Sequence, residues 1–452
     1  MNKLKIWRLK SKEEQRFKRG HPWVYSNELQ DSPKGIQTGE LLELHDASGN
    51  FLAFGFGNPG SLIAFRALSR NKEDVEHIKA SDAGLAAFFE KQLTRAFEFR
   101  LRWFAEKTSF RAVYGEADDL PGLVVDRFRG AKKTVYVIQP HSAGMDQSLE
   151  HILAALQKTH AQFSKDQDAR VILRRDAGSR EREGLEKLPP EVRLLSTLEV
   201  MTDASDLNPF QFAVPGQNQK EIFLSADLIK GQKTGFFFDQ LENIRLTADL
   251  LARKRAVQSG RGSSDEGVQV LDLCSYVGQW GVHLADALLN EAPHKTPVSV
   301  TMVDASESAL TLADQNLKNA FKEEFANKRL EVNRFKADVL DLMPMLKQNQ
   351  YDVVIADPPA LIKSRKVIPQ GKQAYVQLMS EAIRRTKPGG MIVACSCSQL
   401  LSPEDFVEVL AKASRKAGRT VRWIAQGSPS VDHFQRFEFR EGHYLKCWIG
   451  EL

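Results

Sequence analysis

At 452 residues the chain is too long for one ordinary core, so two or three domains are expected. An apolar share of 42% and a charged share of 27% are those of a soluble globular protein. No stretch approaches the roughly 20 apolar residues of a membrane-spanning helix, which excludes a membrane partner of that kind. The basic start MNKLKIWRLKSKEEQRFKRG lacks the apolar core of a signal peptide, and four cysteines without a framework spacing suit a reducing compartment. A cytoplasmic location is therefore expected.

The net charge of +5 says less than its distribution. Residues 1–30 hold eight Lys and Arg against three acids, with Trp7, Phe17, Trp23 and Tyr25 among them. Basic groups meet phosphate and aromatic faces stack on bases, so an RNA footprint is one reading. A solvated face with a few core aromatics is the other. Short apolar runs KIWRL, GELLELHD, FLAFGFGN and LIAFRAL, punctuated by Gly35, Gly39, Gly49, Gly57 and Gly60, predict a small β-barrel over residues 1–70. A helix is expected from about Ser81 to Lys107, with Leu85, Phe88, Phe89, Leu93, Phe97 and Leu101 at helical spacing.

The turn DDLPG, the strand GLVVDRF, the turn RGAKKT and the strand VYVIQP read as a hairpin in a compact α+β middle region. The charged, proline-terminated segment 174–192 reads as a domain boundary. From about Gly267 strands and helices alternate. VQVLDLC, VSVTMVD, LEVNRF, YDVVIAD, GMIVAC, TVRWIA and YLKCWIG are the strands, with helices at 305–326, 372–386 and 402–415. This pattern predicts an α/β fold with an open, mainly parallel sheet covered on both faces.

Ligands of such sheets bind beyond the carboxyl ends of the strands. Acids stand there once per unit: Asp272, followed by a turn with Gly278 and Gly281, then Asp304, Asp338 and Asp357. Singly each reads as a helix cap or loop acid. Jointly, without a G-x-G-x-x-G cradle, they indicate a nucleoside cofactor lacking a pyrophosphate. S-adenosylmethionine fits, with the glycine turn at its methionine moiety, Asp304 at its ribose and Asp338 at its adenine. Ser275, Ala305, Val339, Pro358 and Gln240 join Asp272, Gly278, Asp304, Asp338 and Asp357 as expected cofactor neighbours. Asp357, held by two prolines beside the methyl donor, suits a flat amino-bearing ring, so a nucleobase substrate is expected. Cys395 and Cys397, one residue apart at a strand exit, share a face. They read either as nucleophile and neighbour or as small buried hydrophobes. A metal site from Cys274, Cys395 and Cys397 lacks a second C-x₂-C pair and a histidine, so no metal is expected.

Asp357-Pro358-Pro359, CSCS at Cys395–Ser398, LPGLVVDRF, QKTGFFFDQLEN, RGHPWVYS and EGHYLK together resemble the ribosomal RNA large subunit methyltransferase I family. These are PUA-containing bacterial enzymes that make 5-methylcytosine in 23S rRNA. The likeness spans nearly the whole chain. It implies a PUA-like RNA-binding barrel over 1–75, a middle α+β linking domain over 76–185 and a class I S-adenosylmethionine methyltransferase domain over 186–452. RNA, as 23S rRNA or a large-subunit precursor, is the implied partner, and a homodimer is one arrangement the sequence admits. RNA cytosine methyltransferases carry their nucleophile seven residues past a glycine pair; counted from Gly390, that is Cys397. Cys397 is thus the expected nucleophile, Cys395 its support, and Asp357 the group holding cytosine N3 and the amino group. Arg16, Lys18, Arg19, His21 and Trp23 are the expected RNA contacts, although Trp23 suits a core equally well.

The chain departs from the family in Gly278-Gln279-Trp280-Gly281, where Gly-Gly-Phe-Ser is usual, and in Leu241, where arginine is usual. The stretches 201–220, 254–266 and 290–297 look longer than usual. Three rival readings remain: a methyltransferase making 7-methylguanine or N-methyladenine, a non-catalytic RNA-binding assembly factor, and an NAD-dependent dehydrogenase. The missing third glycine speaks against the last.

Overall fold

The computed structural model describes residues 4–30, 32–33, 35–81, 83–216, 220–259, 267–290 and 296–452. Parts of the long stretches at 201–220, 254–266 and 290–297 therefore lie outside the described residues. The chain forms two compact units. The first comprises Met1–Ala213, Asp227–Phe236 and Val431–Gly442; the second comprises Val214–Ala226, Phe237–Ser430 and His443–Leu452.

The first unit opens with strands β1 (Lys5–Arg8), β2 (Trp23–Tyr25), β3 (Leu41–His45), β4 (Phe51–Gly57) and β5 (Ile63–Ser69). They form one sheet in the order β1-β3-β4-β5-β2, and an isolated bridge from Leu9 to Leu29 brings its edges together. Trp7, Leu9, Phe17, Val24, Leu42, Leu44 and Phe65 fill the interior. Gly55 is obligatory here: a Cβ on it would fall 2.0 Å from the Arg66 carbonyl oxygen of the paired strand.

The helix expected over 81–107 is α2 (Gly84–Leu101), and a separate helix, α1 (Lys72–Ala80), precedes it. Asn71 starts α1 by accepting a hydrogen bond from the Glu73 N–H. The expected hairpin is β7 (Leu123–Arg129) with β8 (Thr134–Pro140), antiparallel, inside a sheet that also holds β6 (Phe110–Tyr114), β9 (Arg170–Leu173) and β10 (Glu191–Leu194). Its order is β10-β9-β8-β7-β6, and α2 and α3 (Leu149–Phe163) pack on it through Phe89, Leu93, Phe97, Ile152 and Leu156. The charged segment 174–192, read above as a boundary, belongs to this unit. Arg180 (1% exposed) donates to Asp146 at 2.7 Å, and β10 extends the sheet to Leu194. A two-stranded hairpin, β11 (Phe210–Pro215) and β12 (Glu221–Ala226), carries the chain onward.

In the second unit all seven expected strands are present: β13 (Val268–Leu273), β14 (Val298–Asp304), β15 (Leu330–Lys336), β16 (Tyr351–Ala356), β17 (Thr386–Ser396), β18 (Arg422–Gly427) and β19 (Lys446–Glu451). Their order is β15-β14-β13-β16-β17-β19-β18. The first five run parallel, and β19 is antiparallel to both neighbours. α4 (Leu241–Ser259) precedes β13, and α5 (Gln279–Asn290), α6 (Glu307–Ala320), α7 (Ile368–Arg385) and α8 (Pro403–Ala417) lie between the strands. The signals ending α8 are local: Ser402 accepts from the Asp405 N–H, Pro403 follows, and Gly418 takes the left-handed φ of 69°. β13 and β16 meet where the strand order reverses, so the two crossovers leave a crevice at their carboxyl ends. Among the described residues, no helix is long and apolar enough to cross a membrane.

Candidate active site

The turn after β13 is built from unusual backbone. Cys274, Tyr276 and Gly278 all have positive φ (63°, 49° and 78°). For the two non-glycine residues this conformation costs on the order of 1–3 kcal/mol each and persists only where the surroundings hold it. Asp304, at the end of β14, does so: its carboxylate accepts from the Tyr276 N–H at 2.9 Å and from the Ser306 N–H at 2.8 Å. The Ser275 N–H donates to the Val303 carbonyl at 3.1 Å. Gly278 is required by packing as well as by φ, because a Cβ there would stand 2.9 Å from the Ala313 Cβ of α6. Gly281, expected in the turn, lies in the first turn of α5.

This scaffold leaves polar atoms buried and unmatched. Asp272 is fully buried; one oxygen accepts from the Gly281 N–H at 3.3 Å, and Oδ1 has no partner. The Ser275 hydroxyl and the Gln279 amide oxygen are likewise unmatched. Burial, then the neighbouring Asp357 charge, pushes the Asp272 carboxyl up to about 8. Burial and then Asp304 push the Cys274 thiol well above its ordinary range, so it is a core thiol. Orphaned buried acceptors beside a strained turn fit a small ligand that brings cationic or hydroxyl donors. S-adenosylmethionine, with its ammonium and ribose hydroxyls, is such a ligand. Asp338 is exposed and caps the short turn that follows by accepting from the Leu340 N–H at 2.9 Å; Val339 is buried, and Ala305 is exposed beside Asp304.

Asp357 leaves the end of β16 with both oxygens engaged. Gln240 Nε2 donates to Oδ1 at 2.9 Å, and the Trp280 indole donates to Oδ2 at 3.1 Å. Asn243 orients Gln240 by donating to its amide oxygen at 2.7 Å. An amide and an indole thus hold the carboxylate in place. Trp280 belongs to the altered glycine turn, so that departure supplies a contact. Leu241, where arginine is usual, is a buried apolar residue opening α4.

β17 runs parallel to β16, with Ala394 beside Ala356, so both strands deliver their next residues to the same end. The half-buried Cys397 emerges there, and its Sγ donates to the Pro358 carbonyl at 3.8 Å. Ser396 and Ser398 turn the other way, onto the Tyr375 hydroxyl at 3.0 and 2.9 Å. Cys395 is fully buried and lies directly opposite Cys447 on β19; burial first, then Cys447, raises its thiol.

The five residues expected to contact RNA are in the first unit. Lys18 and Arg19 are exposed. Arg16 donates to Glu28 at 2.7 Å and lies over the Tyr25 ring. His21 is buried, 3.2 Å from Glu441, and the Trp23 indole donates to Glu116 at 2.8 Å while its ring packs edge-on against Phe439. Reasoning from sequence left out Asn243, Trp280, Tyr375 and Lys446. A lone lysine inside the apolar run YLKCWIG was the available signal for the last.

Comparison with known proteins agrees with this layout. A PUA-like domain family matches residues 8–70, and a methyltransferase domain family matches residues 264–438. A protein of Klebsiella pneumoniae named ribosomal RNA large subunit methyltransferase I is 29% identical over 95% of this chain and 93% of its own. A protein of the same name from Serratia proteamaculans is 28% identical over 98% of both chains. A solved structure from Streptococcus mutans assigned as a SAM-dependent methyltransferase superposes with a TM-score of 0.68 at 17% identity, covering 99% of this chain and 100% of that one. Another, of SMU.776 complexed with SAH, gives 0.69 at 17% identity with the same coverage. At that identity these structures speak for the fold.

Proposed function

We infer that this homologue of the ribosomal RNA large subunit methyltransferase I proteins, with its PUA-like and methyltransferase domains, is an S-adenosylmethionine-dependent methyltransferase acting on large-subunit rRNA. We propose further that it methylates carbon 5 of a cytosine, with Cys397 as nucleophile. The observation that carries this reading is the delivery of the Cys397 thiol and the Asp357 carboxylate to one end of adjacent parallel strands. Asp272, Ser275 and Asp304 would hold the cofactor's amino group and ribose, and Asp338 its adenine. Bound there, S-adenosylmethionine supplies a methyl group on an electrophilic sulfonium.

The protein's own part follows from chemistry. Cytosine carbon 5 is a poor nucleophile until a thiolate adds to carbon 6 and turns the ring into an enamine. Cys397 would form that sulfur–carbon bond. The Asp357 carboxylate would accept from cytosine N3–H and the exocyclic amino group, favouring the protonated, more electrophilic ring. Gln240 and Trp280 fix the carboxylate so that it does not swing onto the thiol. After methylation the carbon-5 proton would pass to water, its electron pair would restore the carbon 5–carbon 6 double bond, and the Cys397 thiolate would leave carbon 6. Lys18 and Arg19, exposed on the barrel, would meet phosphate and position the RNA without reading its sequence.

The test is nucleoside mass spectrometry of unmodified 23S rRNA after incubation with the protein and S-adenosylmethionine. New 5-methylcytidine is expected from the wild type and none from Cys397→Ala. A different methylated nucleoside, made equally well by Cys397→Ala, would replace this reading with methylation of another base.

A further inference from the structure

The covalent mechanism needs Cys397 as a thiolate, and ordinary cysteine is mostly a thiol at neutral pH. A cation close to the Cys397 thiol would favour that form. Lys446 begins β19 and lies opposite Ser396 of β17, one residue before Cys397. It is only 4% exposed. Its Nζ donates to the carbonyl oxygens of Ser398 and Tyr444, both at 2.6 Å. The first of these belongs to the residue that follows Cys397. No ion pair joins Lys446 to a carboxylate among the described residues, which is unusual for a buried ammonium. Both carbonyl acceptors are neutral.

We propose that Lys446 is a positioning residue that keeps Cys397 in its thiolate form, its buried ammonium balancing the sulfur charge at the strand exit. The inference rests on the reading of Cys397 as nucleophile. In the ionisation step the Sγ–H bond breaks, the electron pair stays on sulfur and the proton passes to water, while Lys446 remains protonated. That sulfur pair then forms the bond to carbon 6.

The other ionisable groups around this point come from several elements. Asp357 stands at the end of β16, where its charge helps raise Cys395 and Asp272. Cys395 on β17 and Cys447 on β19 oppose one another. Tyr375 on α7 is raised by burial and engaged by Ser396 and Ser398. None of these is a cation. Burial pulls Lys446 down to about 8, and the Cys397 charge acts in the opposite direction. Opposite charges on the two groups therefore favour one another.

The experiment is the pH dependence of Cys397 alkylation by iodoacetamide in the full-length protein, read by mass spectrometry of the peptide carrying it. Wild type, Lys446→Met and Lys446→Arg are compared, with thermal unfolding as the check on folding. Lys446→Met is expected to slow alkylation at pH 7 about tenfold and to move the midpoint up by about one pH unit. Lys446→Arg, whose charge is permanent, is expected to keep the midpoint at or below that of wild type. Identical profiles for wild type and Lys446→Met overturn the proposal. If Lys446→Met does not fold, a midpoint raised by a unit in Lys446→Arg overturns it alone. Neither RNA nor methyl donor is present, so failure here leaves the methylation assay of Cys397→Ala untouched. Conversely, a Cys397→Ala enzyme that still methylates would remove the nucleophile without altering this thiol–ammonium readout.

Discussion

Buried charge is met differently in the first unit and at the strand ends of the second. In the first, buried arginines meet carboxylates: Arg100 with Asp118 at 2.5 Å, Arg111 with Asp126 at 2.7 Å, Arg66 with Glu183 at 2.8 Å. At the strand ends of the second, Asp272 faces neighbouring acids, Asp357 is held by an amide and an indole, and Lys446 rests on carbonyls. Matched pairs in the interior are internal architecture, since each charge is already answered. Unmatched groups gathered at one end of a sheet raise the free energy of the empty protein and are relieved by whatever binds. The contrast separates the part of the molecule that holds shape from the part that awaits a ligand.

Mutations should break this contrast with opposite signs. The largest effect is expected from Asp118→Ala, which strands the Arg100 guanidinium in the core and should cost about 3–5 kcal/mol. Denaturant unfolding measures it, and a loss under 1 kcal/mol would mean the pair is not closed. Asp272→Asn should do the reverse to stability while impairing cofactor binding. Because the folded carboxyl sits near 8 against an ordinary value near 4, the folded state holds the proton more tightly between those pH values. Stability of the ligand-free wild type therefore falls as pH rises from about 4 to about 8. The asparagine variant lacks that fall and should be a few kcal/mol more stable than wild type at pH 8, at about 1.4 kcal/mol per pH unit. Unfolding curves at pH 5 and pH 8, with titration of S-adenosylmethionine, decide it; a variant less stable at both pH values refutes the account. The smallest effect belongs to the surface. Arg19→Ala should weaken RNA binding only a few-fold and lower the slope of log affinity against log salt by about one. An unchanged slope would remove Arg19 from the phosphate contacts.

Much of this was legible in the sequence, and for identifiable reasons. The seven strands of the second unit are apolar runs bounded by glycine, proline and charge, so they could be read off directly. Their carboxyl ends located Asp272, Asp304, Asp338 and Asp357 together. Asp304 shows the limit: it acts on the backbone of Tyr276, 28 residues away, a contact only the parallel register creates. Trp280 looked like a departure because its partner, Asp357, is 77 residues distant. His21, expected among the RNA contacts, is instead buried against Glu441, 420 residues on. Local pattern reports which way a side chain alternates; it does not report what the chain later brings against it. The helix expected over 81–107 begins only at Gly84, behind a separate helix ending at Ala80, and a Cβ on Gly84 would fall 2.5 Å from the His77 carbonyl oxygen.

The first unit takes its final piece from residues 431–442. Asp432 accepts the Arg111 N–H at 2.8 Å, its carbonyl receives Arg100 at 3.0 Å, and Phe439 covers Trp23 with ring centres 4.8 Å apart. During synthesis, then, this unit stays incomplete until residues 431–442 have been made. A chain lacking residues 431–442 would leave two buried arginines short of partners and one indole face bare, so quality control would meet a defect among residues made hundreds of codons earlier.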